Sequence, residues 1–224
     1  MEIAEFAKFA EVAEVAKMSE ARTAILRRLR EGQRTGRMPA IPRAQVPEPS
    51  PQTADELAGR FSGELAALGV ELHVEASADA VRTRVKTIVG EQRVFSWDAA
   101  FLPYDLGSVP MNFIFGTASR DEQAGAEIGL TGCDAAIAET GTLALLAGTG
   151  RPRAASLLPP VHLAVVRRGD LRFGMGEYFR DRADAIAQAS SCMMITGPSR
   201  TADIELTLTL GVHGPGKVIV VIGP

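Results

Sequence analysis

Four segments of the sequence join charged or hydroxyl side chains to glycine or proline, a combination suited to binding a small anion. They cover residues 138–142, 151–162, 197–205 and 211–216. Each lies next to an apolar run that is typical of a buried strand. Ligands of an open parallel sheet bind on the loops beyond the carboxyl ends of its strands. We therefore expect these segments to follow strand ends and to meet in one crevice at one rim of the sheet.

Glu139 is the candidate for chemistry in the first of these segments. It interrupts an apolar stretch and precedes Thr140, Gly141 and Thr142. A carboxylate beside apolar strands loses hydration unless nearby amides or hydroxyls solvate it. Such a group could act as a nucleophile, a base or a carboxylate that grips a ligand. It could equally cap a turn by accepting backbone N–H groups, and the short string leaves both alternatives open.

The third segment carries the parts of an anion site. Ser199 or Thr201 could cap the N-terminus of a helix, where free N–H groups and the helix dipole favour a negative charge. Arg200 adds a planar fork of donors that suits a carboxylate or a phosphate. Asp203 and Glu205 follow closely and could orient that fork. The alternative is an ordinary helix start with surface charges, but the joint occurrence of these residues after a strand favours the anion site.

The remaining candidates are two histidines and a pair of arginines. His162 follows a double proline at a strand start and His213 lies in a glycine-rich loop, so either could serve as an acid or a base. The histidines lack metal-ligand spacing, and we expect neither a metal site nor a cofactor. Arg151 and Arg153 flank a proline; they could clamp an anion or simply solvate a loop.

Composition excludes several classes of function. The formal charge is −3, from 27 acidic and 24 basic residues, which argues against a general affinity for nucleic acid. Two cysteines, Cys133 and Cys192, cannot hold an iron–sulfur cluster or a four-thiolate zinc site, and such sparse use suits a reducing cytosol. No apolar run is long enough for a membrane span, and the acidic N-terminus does not resemble a signal peptide. We therefore expect a cytoplasmic protein.

Motifs of the common enzyme folds are missing from the sequence. The Gly214–Lys217 string lacks the other glycine and the Ser or Thr of a P-loop, and no Gly-x-Gly-x-x-Gly occurs. No Gly-x-Ser-x-Gly elbow occurs either. A kinase, a Rossmann dehydrogenase and a typical serine hydrolase therefore lose support.

Residues 1–52 are predicted to form a helical arm and a proline-rich linker. Residues 1–18 repeat a three-residue unit, which is shorter than the helical turn of about 3.6 residues. The apolar side chains would therefore spiral around a helix instead of lining one face. Met18 is then a candidate for the natural start. Residues 19–31 fit a better helix, and residues 32–52 contain five prolines, as an extended linker does.

The globular part is predicted to span residues 53–224. Thr53 and Glu56 fit a capping box for a helix that ends before Gly69. Strands are predicted at 70–74, 93–96, 127–130, 161–166, 193–196 and 218–222, helices at 78–89 and 177–189, and short apolar runs at 136–138 and 142–147. This alternation predicts an α/β domain whose largely parallel sheet is flanked by helices.

Four strings in the sequence resemble those of the lactate utilization protein C family, whose domain is called the LUD domain. They are Cys133–Leu143, Ser156–His162, Gly197–Glu205 and Gly211–Pro215, in this order along the chain. The resemblance implies the α/β fold shared by CoA transferases, ribose-5-phosphate isomerase and glucosamine-6-phosphate deaminase. It also implies a role beside two iron–sulfur partner proteins in the bacterial oxidation of L-lactate to pyruvate, which supports growth on lactate.

Glu139 matches a functional position of related proteins. In CoA transferases a Glu-Asn-Gly string supplies the nucleophilic carboxylate, and Glu139-Thr140-Gly141 is similar to it. Because threonine stands where those enzymes have asparagine, the resemblance carries Glu139 over as a ligand or catalytic position, without a thioester mechanism.

Three functional hypotheses follow. The first is an accessory subunit of a lactate-oxidising system that binds a small organic anion or a phosphorylated ligand; Ser199, Arg200 and Thr201 would grip the anion, with Glu139 facing it. The second is a stand-alone enzyme of the same fold that handles an acyl-CoA or a phosphosugar. The third is a structural assembly subunit without catalysis. The sequence does not decide whether the chain is itself an enzyme.

Overall fold

The computed structural model describes residues 20–32, 53–201 and 209–224. The chain divides into two units, Met1–Glu48 and Pro49–Pro224. In the first unit, residues 20–32 form helix α1, and every side chain of this helix is exposed. The repeat at 1–18, the linker from residue 33 onward and the predicted ligand residue Asp203 lie outside the described residues.

Helix α2 (Ala54–Ala67) opens the second unit, and the sequence encodes both of its ends. The Thr53 hydroxyl accepts the Glu56 N–H, and Glu56 Oε2 accepts the Thr53 N–H at 2.7 Å. The predicted capping box is therefore confirmed. Phe61 and Leu65 bury one face of the helix. Leu68 caps its carboxyl end.

Six parallel strands form the main sheet of the second unit. Numbered along the chain, they are β1 (Glu71–Val74), β2 (Arg93–Ser96), β3 (Asn112–Ile114), β4 (Ile128–Thr131), β7 (Val161–Arg167) and β12 (Lys217–Gly223). Their order across the sheet is β1-β12-β7-β4-β2-β3. The central strands β7 and β12 pair from Val161↔Lys217 to Arg167↔Gly223 and are almost wholly buried. Their continuous apolar runs are typical of parallel strands that are covered on both faces.

A second, mixed sheet lies beside the first. Its strands are β5 (Ala135–Ile137), β6 (Thr142–Ala147), β8 (Leu171–Arg172) and β9 (Ser191–Ile195), in the order β8-β5-β6-β9. Strand β6 pairs antiparallel with β5 and with β9. A short antiparallel pair of β10 (Arg200–Thr201) and β11 (Thr209–Leu210) follows in the chain.

Helices and the second sheet together enclose the hydrophobic core. Helix α3 (Ala78–Val89) packs against β12, and α2 lies against β1 and β8. Leu143 and Leu145 of the second sheet join this core. The opposite face of the second sheet packs against Tyr178. That residue belongs to the first of two short helices, α5 (Met175–Asp181) and α6 (Ala183–Gln188).

The predicted fold class is confirmed: the protein is an α/β domain with a mostly parallel sheet flanked by helices. One local prediction differs from the structure, and other elements have no predicted counterpart. The helix predicted at 177–189 is two helices that meet at Arg182, whose φ of −114° interrupts the helical backbone. Strand β3 and the short helix α4 (Arg120–Ala124) lie in a stretch for which the sequence analysis predicted no element.

The four candidate segments do not all follow parallel strands, contrary to the expectation. Residues 138–141 form the turn of the β5–β6 hairpin, and residues 196–199 follow the antiparallel strand β9. Residues 211–216 precede β12, and residues 157–160 precede β7, at the amino ends of these parallel strands. The two short apolar runs pair with each other in a second sheet, and strand alternation alone did not reveal this arrangement.

None of the described helices is both long enough and apolar enough to cross a lipid bilayer.

We predict that Gly129→Ala strongly destabilises the fold. A Cβ at this position of β4 would overlap the carbonyl oxygen of Ala155, which is part of a 3-10 turn packed on the strand. Overpacking of this kind costs about 1–3 kcal/mol or more. Urea unfolding measures the loss.

The matched control is Gly63→Ala, on the exposed side of helix α2, where an added Cβ meets nothing within 4 Å. Because alanine favours a helix over glycine by about 0.5–1 kcal/mol, this variant should be slightly more stable than the parent. Equal stability of the two variants would contradict the packing described for β4.

Candidate functional site

Loops that are distant in the sequence meet at the carboxyl end of helix α2. The β5–β6 turn and the segment after β9 both contact Leu68, the residue that caps this helix end. The polar side chains gathered on these loops form what we call the helix-end cluster: Glu139, Thr140, Thr142, Thr196, Ser199 and Arg200. The structure therefore brings together two segments that the sequence analysis singled out separately.

Two glycines allow these loops to approach the helix. Gly141 has φ +64° and Gly197 has φ +79°, in the backbone region that favours glycine. A Cβ on Gly141 would lie 3.0 Å from both Leu68 Cδ1 and Glu64 Cβ, and one on Gly197 would lie 3.2 Å from Leu68 Cβ. A side chain at either position would push its loop away from the helix end.

Three threonine hydroxyls connect the two loops. Thr142 Oγ1 lies 2.7 Å from Thr140 Oγ1 and 2.8 Å from Thr196 Oγ1, and either hydroxyl of each pair can donate. Thr142 is buried, whereas Thr196 is exposed. The hydroxyls therefore form a continuous chain from the interior of the second sheet to the surface at Thr196.

Arg200 binds the end of helix α2 directly. Its Nη2 donates to the carbonyl oxygen of Leu68, at a helix terminus where carbonyl groups lack intrahelical partners and the dipole favours a cation. The side chain is exposed, and a guanidinium has further donors that a carboxylate or a phosphate can share. Arg200 and Thr201 lie in strand β10. Ser199 therefore does not cap a helix N-terminus, because the residues after it are extended. A helix capped by Thr201 would begin at residue 202, which lies outside the described residues.

Glu139 lies on the surface in the β5–β6 turn. Its backbone N–H donates to the Phe173 carbonyl oxygen at 2.9 Å. Its carboxylate lies over Gly174, where an added Cβ would be 3.0 Å from Glu139 Oε2. The turn is thus fixed by its backbone, and the exposed carboxylate can meet a ligand.

The loop before β12 is tied to the same region by its backbone. Ser199 donates its N–H to the Pro215 carbonyl at 2.8 Å, and Gly211 donates to the Ser199 carbonyl at 3.0 Å. His213 is exposed in this loop, while Thr201 is buried.

His162 lies apart from the other predicted site residues. It occupies the second position of β7, wholly buried inside the sheet, and its Nε2 shares a hydrogen bond of 2.9 Å with Thr131 Oγ1. No described group pairs with its Nδ1. Burial lowers the pKa of His162 to about 4, so the imidazole is neutral at physiological pH.

The cluster can recognise a ligand that carries both an anionic group and hydroxyls. The exposed Arg200 guanidinium binds the helix end, a chain of hydroxyls links the two loops packed against it, and the β5–β6 turn also carries the exposed Glu139 carboxylate. Across the three described ranges, no group of three or more His, Cys, Asp or Glu side chains could hold a metal ion.

Sequence reasoning missed two members of this site. Thr196 stands at the end of a predicted strand, but only its pairing with Thr142 gives it a role. Leu68 contributes a backbone carbonyl, for which a side-chain pattern holds no signal.

The model of the LUD domain matches residues 58–222 of this chain. The chain belongs to the LUD domain family. This confirms the family resemblance in the sequence, and the match covers most of α2, both sheets and the helix-end cluster.

Named relatives of this LUD-domain protein agree with that assignment. It is 42% identical to lactate utilization protein C of Halalkalibacterium halodurans over 94 residues, 40% of this chain and 41% of the relative. It is 29% identical to lactate utilization protein C of Deinococcus radiodurans over 208 residues, 91% of this chain and 96% of the relative. The match thus spans about two fifths of the first relative and almost all of the second.

A solved structure shows the same architecture. The crystal structure of a DUF162 family protein from Deinococcus radiodurans superposes with a TM-score of 0.64 at 25% sequence identity, covering 78% of this chain and all of that one.

We predict that acid destabilises the LUD domain through His162. Its pKa is lowered to about 4 in the folded state, while the pKa of histidine in an unfolded chain is about 6.5. The unfolded state therefore binds a proton that the folded state does not, and stability falls as the pH drops through this interval. We expect His162 to account for a loss of about 2 kcal/mol between pH 7 and pH 5, measured by urea unfolding.

His162→Gln should remove most of this pH dependence, whereas His73→Gln, at a partly buried histidine of β1, should keep it. An unchanged slope in His162→Gln would contradict the assignment.

Proposed function

We propose that this protein is an accessory, ligand-binding subunit of a bacterial system that oxidises L-lactate to pyruvate. Its ligand is a small organic anion or a phosphorylated molecule bound at the helix-end cluster. Arg200 grips the anionic group, assisted by Ser199 and the threonine hydroxyls, and Glu139 faces the bound ligand.

One observation carries the proposed site: Arg200 and the Glu139 turn approach the same helix end although 61 residues separate them in the sequence. The contact with Leu68 restrains the Arg200 guanidinium, so less conformational entropy is lost when an anion binds to it. The hydroxyls of Thr140 and Thr196 add neutral donors and acceptors on the same surface. Thr201, Asp203 and His213 belong to the adjoining segments and complete the proposed set of ligand residues.

The role in lactate utilization is supported by the relatives that carry this name. Oxidation of lactate releases electrons, and the two cysteines of these 224 residues cannot ligate a four-thiolate cluster. We therefore propose that iron–sulfur partner proteins accept the electrons. The sparse cysteines suit the reducing cytoplasm, where we expect the system to act.

The proposal does not include a thioester on Glu139. Thr140 occupies the place of the asparagine in the Glu-Asn-Gly string of CoA transferases. The likeness to the fold of those enzymes remains a prediction.

We predict that Arg200→Gln slows growth on lactate severalfold when it replaces the parent gene, with a smaller effect for Glu139→Gln. Loss of the guanidinium removes a charge-assisted hydrogen bond to the ligand. Growth rate on lactate and on glucose measures the effect, and only growth on lactate should change.

Matched controls are Arg120→Gln and Glu91→Gln, which alter exposed side chains away from the cluster. Equal growth of the cluster variants and these controls would remove the ligand claim and leave an assembly role.

Co-purification from lactate-grown cells tests the partners: iron–sulfur proteins should be retained with the parent chain. Turnover of lactate by the purified chain alone would instead favour a stand-alone enzyme.

A further inference from the structure

A second polar site lies at the other edge of the main sheet, where strands β2, β4 and β7 end. Trp97 directly follows β2, Asp134 lies just beyond β4, and Arg167 is the last residue of β7. With Arg151 and Asp170 they line a cavity of about 120 Å³, which we call the carboxyl-edge cavity. Its volume is about that of four water molecules, so the cavity admits a small molecule and excludes a nucleotide or CoA.

Arg151 is held in a fixed position at this cavity. Its Nη1 donates to Asp134 Oδ1 at 3.0 Å. Its guanidinium carbon lies 5.6 Å from the Trp97 ring centroid and 5.4 Å from that of Phe101. The backbone of Arg151 also exchanges hydrogen bonds with Gly148, at 3.2 and 3.0 Å. An arginine restrained in this way has further donors with which to bind a planar carboxylate in two-point fashion.

Asp134 fixes the position of the Arg151 guanidinium. Besides that guanidinium it accepts the Leu146 N–H at 2.7 Å through its second oxygen. Both carboxylate oxygens thus have donors, and the ion pair is largely shielded from solvent, with the two side chains 26% and 16% exposed.

Two further residues of the cavity lining, Trp97 and Asp170, carry polar side-chain groups. The Trp97 side chain is buried, and its Nε1 has no hydrogen-bond partner among the described residues. A buried N–H without an acceptor costs free energy that a ligand oxygen would recover. The Asp170 carboxyl is half-buried, 4.0 Å from Arg167. Burial raises the pKa of Asp170 against the opposing charges of Arg167, Arg172 and Arg182.

We propose that the carboxyl-edge cavity binds a small carboxylic acid that carries a hydroxyl group beside its carboxylate. Arg151 pairs with the carboxylate, the Trp97 N–H donates to one of its oxygens, and the ligand hydroxyl donates to Asp170. A 2-oxo acid presents an acceptor oxygen where the 2-hydroxy acid presents a donor. The Asp170 carboxylate therefore selects the hydroxy acid. This site is separate from the helix-end cluster, and neither assignment depends on the other.

The larger hollow beside β1 and β12 fits such a ligand less well. It measures about 520 Å³ and contains Arg168 and Glu75. That volume is several times what a three-carbon acid needs, and Arg168 pairs there with the solvent-exposed carboxylate of Asp55 instead of a buried one.

Trp97 is the only tryptophan of the sequence, so its fluorescence and its indole N–H resonance report on the cavity alone. We expect lactate to shift both signals saturably, with at least tenfold weaker binding of pyruvate and of propionate, which lacks the hydroxyl. If millimolar lactate changes neither the Trp97 fluorescence nor its indole N–H resonance, the proposal is overturned. A response to inorganic phosphate equal to that for lactate would overturn it as well.

Variants separate this site from its surroundings. Arg151→Gln should weaken lactate binding at least tenfold, whereas Arg153→Gln, an exposed arginine two residues away, should not. Equal effects of Arg151→Gln and Arg153→Gln would contradict the carboxylate clamp. If Arg151→Gln does not fold, binding of lactate, pyruvate and propionate to the parent chain and to Asp170→Asn still tests the proposal.

Asp170→Asn should abolish the preference for lactate over pyruvate, because an amide can donate to the oxo group. In the parent chain, the preference should also fall as the pH drops through the raised pKa of Asp170, and it should be independent of pH in the variant. The charged or titratable groups that face Asp170 are Asp134, Arg167, Arg172, Arg182, the Tyr104 hydroxyl and the Cys133 thiol. Burial raises the pKa of that thiol, so it stays neutral in this range. A preference unchanged in Asp170→Asn would overturn the role of Asp170.

Discussion

The close contact of two glycine turns with the carboxyl end of helix α2 is the constraint on which the candidate site depends. Phe61 and Leu65 fix the helix in the core, and Gly141 and Gly197 then bring their loops against its last turn. The Arg200–Leu68 hydrogen bond and the chain of threonine hydroxyls form only because these loops lie so close. A polar surface is thereby built on a rigid element, although its residues come from separate loops.

The two edges of the main sheet offer different chemistry. At the amino ends of β7 and β12, the loops around Ser199 form an open surface that carries the exposed guanidinium of Arg200. At the carboxyl ends of β2, β4 and β7, charged groups line a small cavity and are mostly paired. The open surface suits a ligand that a partner protein could share. The cavity suits a small molecule bound by itself, in the position where open parallel sheets commonly bind ligands.

Local patterns predicted much of the fold, and long-range pairing accounts for what they missed. The capping box at Thr53 and the apolar runs of β7 and β12 are local signals, and the structure contains both elements. The hairpin of β5 and β6 depends on pairing with β9 far along the chain, so its turn was wrongly expected at a strand end of the main sheet. The sequence around Arg151 leaves a clamp and a solvated loop both open, because the contacts that fix Arg151 join it to Asp134 and Trp97, which are far from it in sequence.

A double-mutant cycle between Glu139 and Arg200 tests the central claim most directly. Growth rate on lactate is measured for the parent chain, Glu139→Gln, Arg200→Gln and the double variant. Residues that act on one shared ligand are coupled, whereas independent sites are additive in free energy. If both residues act on one ligand, the double variant should grow no more slowly than the slower of the two single variants. Growth defects that simply multiply would show that the two residues act independently and would contradict a shared site.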